Sequence, residues 1–264
     1  MAHASGKNGG VYSSSLLVED CEDAWVNDNI TSCNVDTDAK VGTYSVKCVI
    51  PGALGANILL AHETTTVNLT TYDLIFLWIK SSITAALNDN QIVLDDTATC
   101  LSPIEFLQLP ALTLGVWTQV VMPLADPSLL GAILGIGLKQ IAALGARNIF
   151  LDDIRALKEI DGINSWSISY EGTVLNTTDF ADVGVSSFIP GISQWSGSFD
   201  GYKDGVPLGI GAEVYLVLGE TSTGSQSFIG KAIITAARPV TDHDGIVSYS
   251  YDFQGTGALE VPST

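Results

Sequence analysis

Chemistry needs side chains of the right kind brought to one place, and this chain offers few of them. Its three histidines, His3, His62 and His243, are scattered. The cluster Asp242-His243-Asp244-Gly245 resembles the opening of a calcium loop or a histidine–carboxylate pair. No twelfth-position glutamate follows it, so Asp-Gly ahead of Ile246 reads as a turn. No serine stands in a G-x-S-x-G elbow, and there is neither a phosphate-binding loop nor a dinucleotide fingerprint. Four cysteines, Cys21, Cys33, Cys48 and Cys100, are spaced 12, 15 and 52 residues apart, which matches no zinc pattern. They allow one disulfide, with buried free thiols as the favoured state. Three N-x-S/T sequons, at Asn29, Asn68 and Asn176, read as chance in a chain without an export signal.

The composition explains why so little chemistry is on offer. Of 264 residues only 15% are charged and 46% are hydrophobic, where ordinary globular chains carry roughly 25% charge. Such a chain must hide apolar surface in a large core, in contacts with other copies, or in both. Eleven basic residues against 29 acidic ones leave a net charge of −18, which excludes a phosphate-gripping surface. Residues 1–15 show no apolar signal-peptide core, so nothing there directs secretion. The most apolar stretch, 129–151, is interrupted by Lys139, Gln140, Arg147 and Asn148 before it reaches membrane-spanning length, and no membrane insertion is expected.

The elements that must position these residues are short strands, and the expected class is all-β. Candidates over 44–50, 58–61, 74–79, 91–95, 105–109, 117–122 and 148–154 are mostly bounded by Gly, Pro, Asn or Asp, as in an antiparallel sandwich. Segment 129–143 has three glycines in its first nine residues, each costing a helix about 1 kcal/mol, and reads as half strand and half helical turn. A second compositional block starts near 159, with three basic residues, Lys203, Lys231 and Arg238, against thirteen acidic ones. There the alternation of Trp166, Ile168, Tyr170 and of Val247, Tyr249, Tyr251, Phe253 marks further strands, with looser ones at 213–218 and 228–236. The connection 176–191 carries Phe180, Val183, Val185, Phe188 and Ile189, and a loop that apolar packs on something.

Residues 163–205, with paired Trp166 and Trp195 and the phrase TTDF followed by FIPG, resemble the tail tube proteins of long-tailed bacteriophages. The opening AHASGKNGGVY is similar to the start of such subunits. The intervening phrases LLVEDCEDAW, GTYSVKCVI and NIFLDDIRAL resemble a carbohydrate-binding-module-like jelly roll. The resemblances imply an N-terminal arm over 1–15, an inserted jelly roll over 16–158 and the main tail tube domain over 159–264. A sandwich whose first and last strands lie side by side can enter a host loop in this way, with Ser15 and Lys158 as neighbours.

By the jelly-roll resemblance a structural calcium is expected between the first and last strands, on Glu22 and on Asp152 or Asp153, with carbonyls near Lys40–Gly42. Carbohydrate-binding versions of the fold stack sugars on exposed aromatics. Of Trp25, Tyr44, Tyr72, Phe76, Trp78, Phe106 and Trp117, most sit at core-facing positions, and Tyr72, between polar neighbours, is the one expected to bind. By the tube resemblance, subunits form stacked hexameric rings in a virion tail, made in the host cytoplasm and joined to other tail proteins. Phe180, Phe188 and Ile189 would lie between subunits. An acidic lumen would pass DNA without binding it, and no catalytic role is implied. The alternative is a secreted or cell-surface carbohydrate-binding protein. A glycoside hydrolase would need two carboxylates about 5–9.5 Å apart across a cleft, and nothing nominates such a pair.

Overall fold

The computed structural model describes residues 11–178, 185–202, 207–219, 227–241 and 245–261. The chain is all-β, in three antiparallel sheets, and its one helical turn among the described residues is the 3-10 turn Pro127–Leu129. Two compact units are formed, one from Ser15–Glu159 and the other from the segment up to Ser14 with Ile160–Thr264. No described helix is long and apolar enough to cross a membrane.

In the first unit one sheet holds β3 (Ser32–Asp36), β4 (Ser45–Ile50), β11 (Arg147–Glu159), β6 (Leu74–Ser81) and β9 (Thr118–Pro123) in that order. The other holds β2 (Val26–Asn27), β5 (Ile58–Val67), β10 (Ile133–Gln140), β7 (Asn90–Asp95) and β8 (Glu105–Gln108). From β4 onward the orders 4-11-6-9 and 5-10-7-8 are those of a jelly roll, two interlocked Greek keys. The strand entering it, β1 (Tyr12–Glu19), pairs with the strand leaving it, β11, so entry and exit are adjacent. Ile75, Leu77 and Ile79 of β6 face Ile92, Leu94 and Leu138 in the core between the sheets.

Residues 129–143 contain a full strand with no α-helical turn. The glycines that argued against a helix also serve packing: a Cβ at Gly135 would stand 2.5 Å from the Thr97 carbonyl and 2.8 Å from Cys100 Sγ. The cysteines take both of the states that the sequence allowed. Cys33 and Cys48, direct partners across β3 and β4, are joined in a disulfide, while Cys21 and Cys100 are buried thiols. Burial pushes the Cys100 thiol up to about 12 and Cys21 well above its ordinary value.

The second unit is one five-stranded sheet in the order β12 (Ile163–Asn176), β13 (Phe188–Tyr202), β16 (Ser248–Glu260), β15 (Ser227–Val240), β14 (Glu213–Gly219). Trp166 on β12 and Phe228 on β15 have ring centroids 6.2 Å apart, although a flat sheet would separate those strands by about 14 Å. The sheet therefore curls tightly around its apolar face. Trp195 fills the curl, lying against Gly230 and Gly255 with its Nε1 donating to the Gly257 carbonyl at 3.2 Å. The opposite face is polar: Ser167 and Ser198 hydroxyls meet at 3.0 Å, and Arg238 pairs with Asp252 at 2.8 Å.

Candidate functional site

Two places stand out, a pair of carboxylates in the jelly roll and a bare ribbon in the curled sheet. The first begins with a β-bulge. The register of β11 against β6 slips between Asp152 and Arg155, and Asp153 sits at φ +47°. Alternation from Leu151 puts Asp152 on the outer face beside Trp78, and the slip after it returns Ile154 to the core. There Asp152 Oδ2 accepts the amides of Lys40 at 2.6 Å and Val41 at 3.0 Å. Glu22 Oε1 accepts those of Thr43 at 2.7 Å and Tyr44 at 3.3 Å. The two carboxylates thus hold the 40–44 loop by its main chain, with Gly42 at φ +70° and its α-carbon against the Glu22 carboxylate. Asp153 is turned to Arg155, 2.6 Å away.

Burial raises the Asp152 carboxyl to about 6, with the charges of Asp153 and Glu22 adding to it against the pull of the two amides. Its second oxygen, Oδ1, is buried without a hydrogen-bond partner. Among the described residues no three His, Cys, Asp or Glu side chains converge to hold a metal. Of the three expected calcium ligands, Asp152 alone has an orphaned oxygen. Glu22 Oε1 is filled by amides and Asp153 Oδ1 by a guanidinium, so a cation there would complete its shell with carbonyls and water.

The aromatics fall differently from the sequence reading. The Tyr72 ring is half-buried and packs on the core, so it is not a free-standing platform. Of the other candidates Phe106 and Tyr44 are exposed, while Phe76, Trp78 and Phe150 are buried on the side of their sheet away from the core cluster, with Trp117 beside Phe150. Lysines cover three of these rings: Lys40 over Trp78 at 4.5 Å, Lys80 over Phe150 at 4.2 Å and over Trp117 at 4.8 Å. Asp38 ties Lys80 and accepts the Trp117 indole N–H at 3.0 Å, which holds its carboxyl below the ordinary range. The sequence reading put most of these rings at core-facing positions; Phe76 and Trp78 are buried as expected but lie, with Phe150, outside the core cluster. Lys80 and Asp38, 42 residues apart, carry no local signal of their pairing.

The second place is the far half of the β12/β13 hairpin. The expected loop over 176–191 is shorter than the sequence suggested, because β12 runs to Asn176 and β13 begins at Phe188. Leu175 faces Ile189 and Asn176 faces Phe188 across the pair. Beyond Trp195 no described residue covers the ribbon: Ile192 is 83% exposed, Val174 70%, and Phe188 and Ile189 about half. Adjacent residues of a strand point to opposite faces, so Val174 and Leu175 make both sides of the ribbon apolar. Phe180 lies outside the described residues, as do Asp242, His243 and Asp244.

No protein-family model matches the chain, and no curated protein does. Among solved structures it is similar to the family 11 carbohydrate-binding module of the cellulosomal cellulase Lic26A-Cel5E of Clostridium thermocellum, at 11% identity and a TM-score of 0.38, over 56% of this chain and 96% of that one. The jelly-roll assignment rests on the strand order. Neither the comparisons nor the strand order bears on the tail tube resemblance of residues 163–205.

Proposed function

We propose that this chain is a non-catalytic structural subunit that assembles with copies of itself through the curled sheet, as the tail tube proteins resembled by residues 163–205 do. The observation that carries the reading is the bare ribbon. A two-stranded ribbon is marginal on its own in water, and one that is apolar on both faces needs a partner on each. Phe188 and Ile189 stand at that contact. Among the described residues the sheet also ends in two unpaired edges, β12 and β14, which is what side-by-side closure into a ring requires. In this reading the chain belongs to a virion tail, meets other tail proteins, and passes DNA along a wall whose carboxylates repel phosphate.

The jelly roll supports a second reading, a carbohydrate-binding protein, on the strength of its strand order. The two are compatible if the jelly roll is a decoration whose weak glycan contacts gain from many copies. Electron microscopy of the purified protein over a concentration series, with light-scattering mass, tests the first reading. Rings or tubes with a central hole are expected. A monomer near 27.8 kDa that never assembles and is retained on polysaccharide would replace it with the second.

A structural calcium at Asp152 is part of the proposal. Its orphaned oxygen supports it, and the ion would neutralise the charge shared by Asp152, Asp153 and Glu22. Added calcium is then expected to raise the melting temperature of the wild type but not that of Asp152→Asn. An equal response of both proteins removes calcium from this site.

A further inference from the structure

The sandwich has a polar end that neither assembly nor calcium employs. Asn90, Gln140 and Arg147 begin or end β7, β10 and β11, two residues from Ile92, Leu138 and Ile149, and so share their core-facing side. They are fully sealed: Arg147 is 4% exposed and Gln140 0%. Arg147 Nη1 donates to the Gly145 carbonyl at 3.2 Å and Nη2 to Asn90 Oδ1 at 3.0 Å. Gln140 Nε2 donates to the carbonyls of Gly55 and Leu54. Every acceptor is neutral, and Asp89 is the acid whose charge reaches the guanidinium.

Two atoms are left over. Arg147 Nε, a donor, and Gln140 Oε1, an acceptor, are both buried without a partner. Both flank Asn90: Gln140 faces it across β10 and β7, and its Oδ1 receives Arg147 Nη2. Rotating the Gln140 amide would aim its oxygen at the Gly55 and Leu54 carbonyls, so its orientation is fixed by its neighbours. Whatever completes the site must accept from an N–H and donate to an amide oxygen. An anion only accepts, and a metal cation is repelled by the guanidinium. A hydroxyl does both, and in a closed polar site the hydroxyl is that of water.

We propose that one ordered water bridges Arg147 Nε and Gln140 Oε1, tying β11 of one sheet to β7 and β10 of the other. The test is a crystal structure of the full chain, at a resolution that shows ordered waters, from a crystal soaked in bromide. A peak within hydrogen-bond distance of both atoms, without bromide's anomalous signal, is the expected result. A direct Nε–Oε1 contact, an empty space or an anomalous peak overturns it. A second measurement is the double-mutant cycle of Gln140→Leu and Arg147→Met. Each single variant is expected to lower the melting temperature by about 2–4 °C or more, and the pair by less than the sum, since the water is lost once. Additive losses overturn the bridge.

Discussion

At the scale of single residues, the carboxylates near the start of the jelly roll set two expectations. Gly42 combines a left-handed backbone with contact against the Glu22 carboxylate. A methyl group there costs about 1–2 kcal/mol in backbone strain. It also pushes Glu22 off the amides of Thr43 and Tyr44, solvent-exposed hydrogen bonds each worth about 0.5–1 kcal/mol. Gly42→Ala is therefore expected to destabilise the protein by about 2–4 kcal/mol, read by denaturant unfolding. Glu19 sets the second. Burial, helped by Asp20, Asp23 and Glu63, raises its carboxyl from 4.5 to about 7 despite the Cys21 amide. The folded chain holds this proton more tightly than the unfolded one, so the contribution to stability is whole below pH 4.5 and is lost as pH climbs to about 7. Glu19→Gln should leave stability unchanged in acid, raise it above neutrality and flatten that part of the pH profile. Parallel profiles for the two proteins, measured as melting temperature against pH, would remove Glu19 as the cause.

At the scale of elements, Trp195 decides whether the second sheet curls. Its ring occupies the space where Gly255 and Gly230 would carry side chains, with a Gly230 Cβ only 2.6 Å from Trp195 Cζ2. Gly255→Ala should overpack this site and cost about 1–3 kcal/mol, while Gly172→Ala, where a Cβ meets nothing within 4 Å, should be nearly neutral. Equal stability of the two variants would mean the sheet can flatten around the indole. Trp195 was legible in the sequence only as part of a phrase. What made it central, a run of glycines opposite it on β15 and β16, is a long-range match that local pattern does not carry. The same limit explains the other differences. Turn-bounded apolar runs located β6 to within two residues and period-two alternation found the start of β16, because both signals lie in neighbouring side chains. Neither could read β10 through its glycines or pair Cys33 with Cys48. Nor could either tell that a bulge at Asp153 would return Ile154 to the core. Glu22 and Asp152 were found through a resemblance, and the structure supplied what they hold, which is the main chain of residues 40–44.

For the whole molecule, charge opposes assembly and the ribbon is where that opposition is weakest. Copies carrying −18 each repel over the screening length of the solution, about 8–10 Å near physiological salt. Between 172 and 178 and between 185 and 199 there is no Asp, Glu, Lys or Arg. Two copies can therefore bury Val174, Phe188, Ile189 and Ile192 there without desolvating a carboxylate. Assembly through this ribbon should strengthen with added salt, because salt screens the repulsion of the rest of the surface while leaving an apolar contact intact. Ile192→Asp puts a charge into that contact at a position 83% exposed in the subunit, so the fold keeps its melting temperature while assembly is lost. Light-scattering mass at low and high salt, for wild type and variant, separates the possibilities. Growth with salt in the wild type and a salt-insensitive monomer in Ile192→Asp is the expected pair of results. If the variant assembles like the wild type, the ribbon is not the contact, and the unpaired edges β12 and β14 are left to join the subunits.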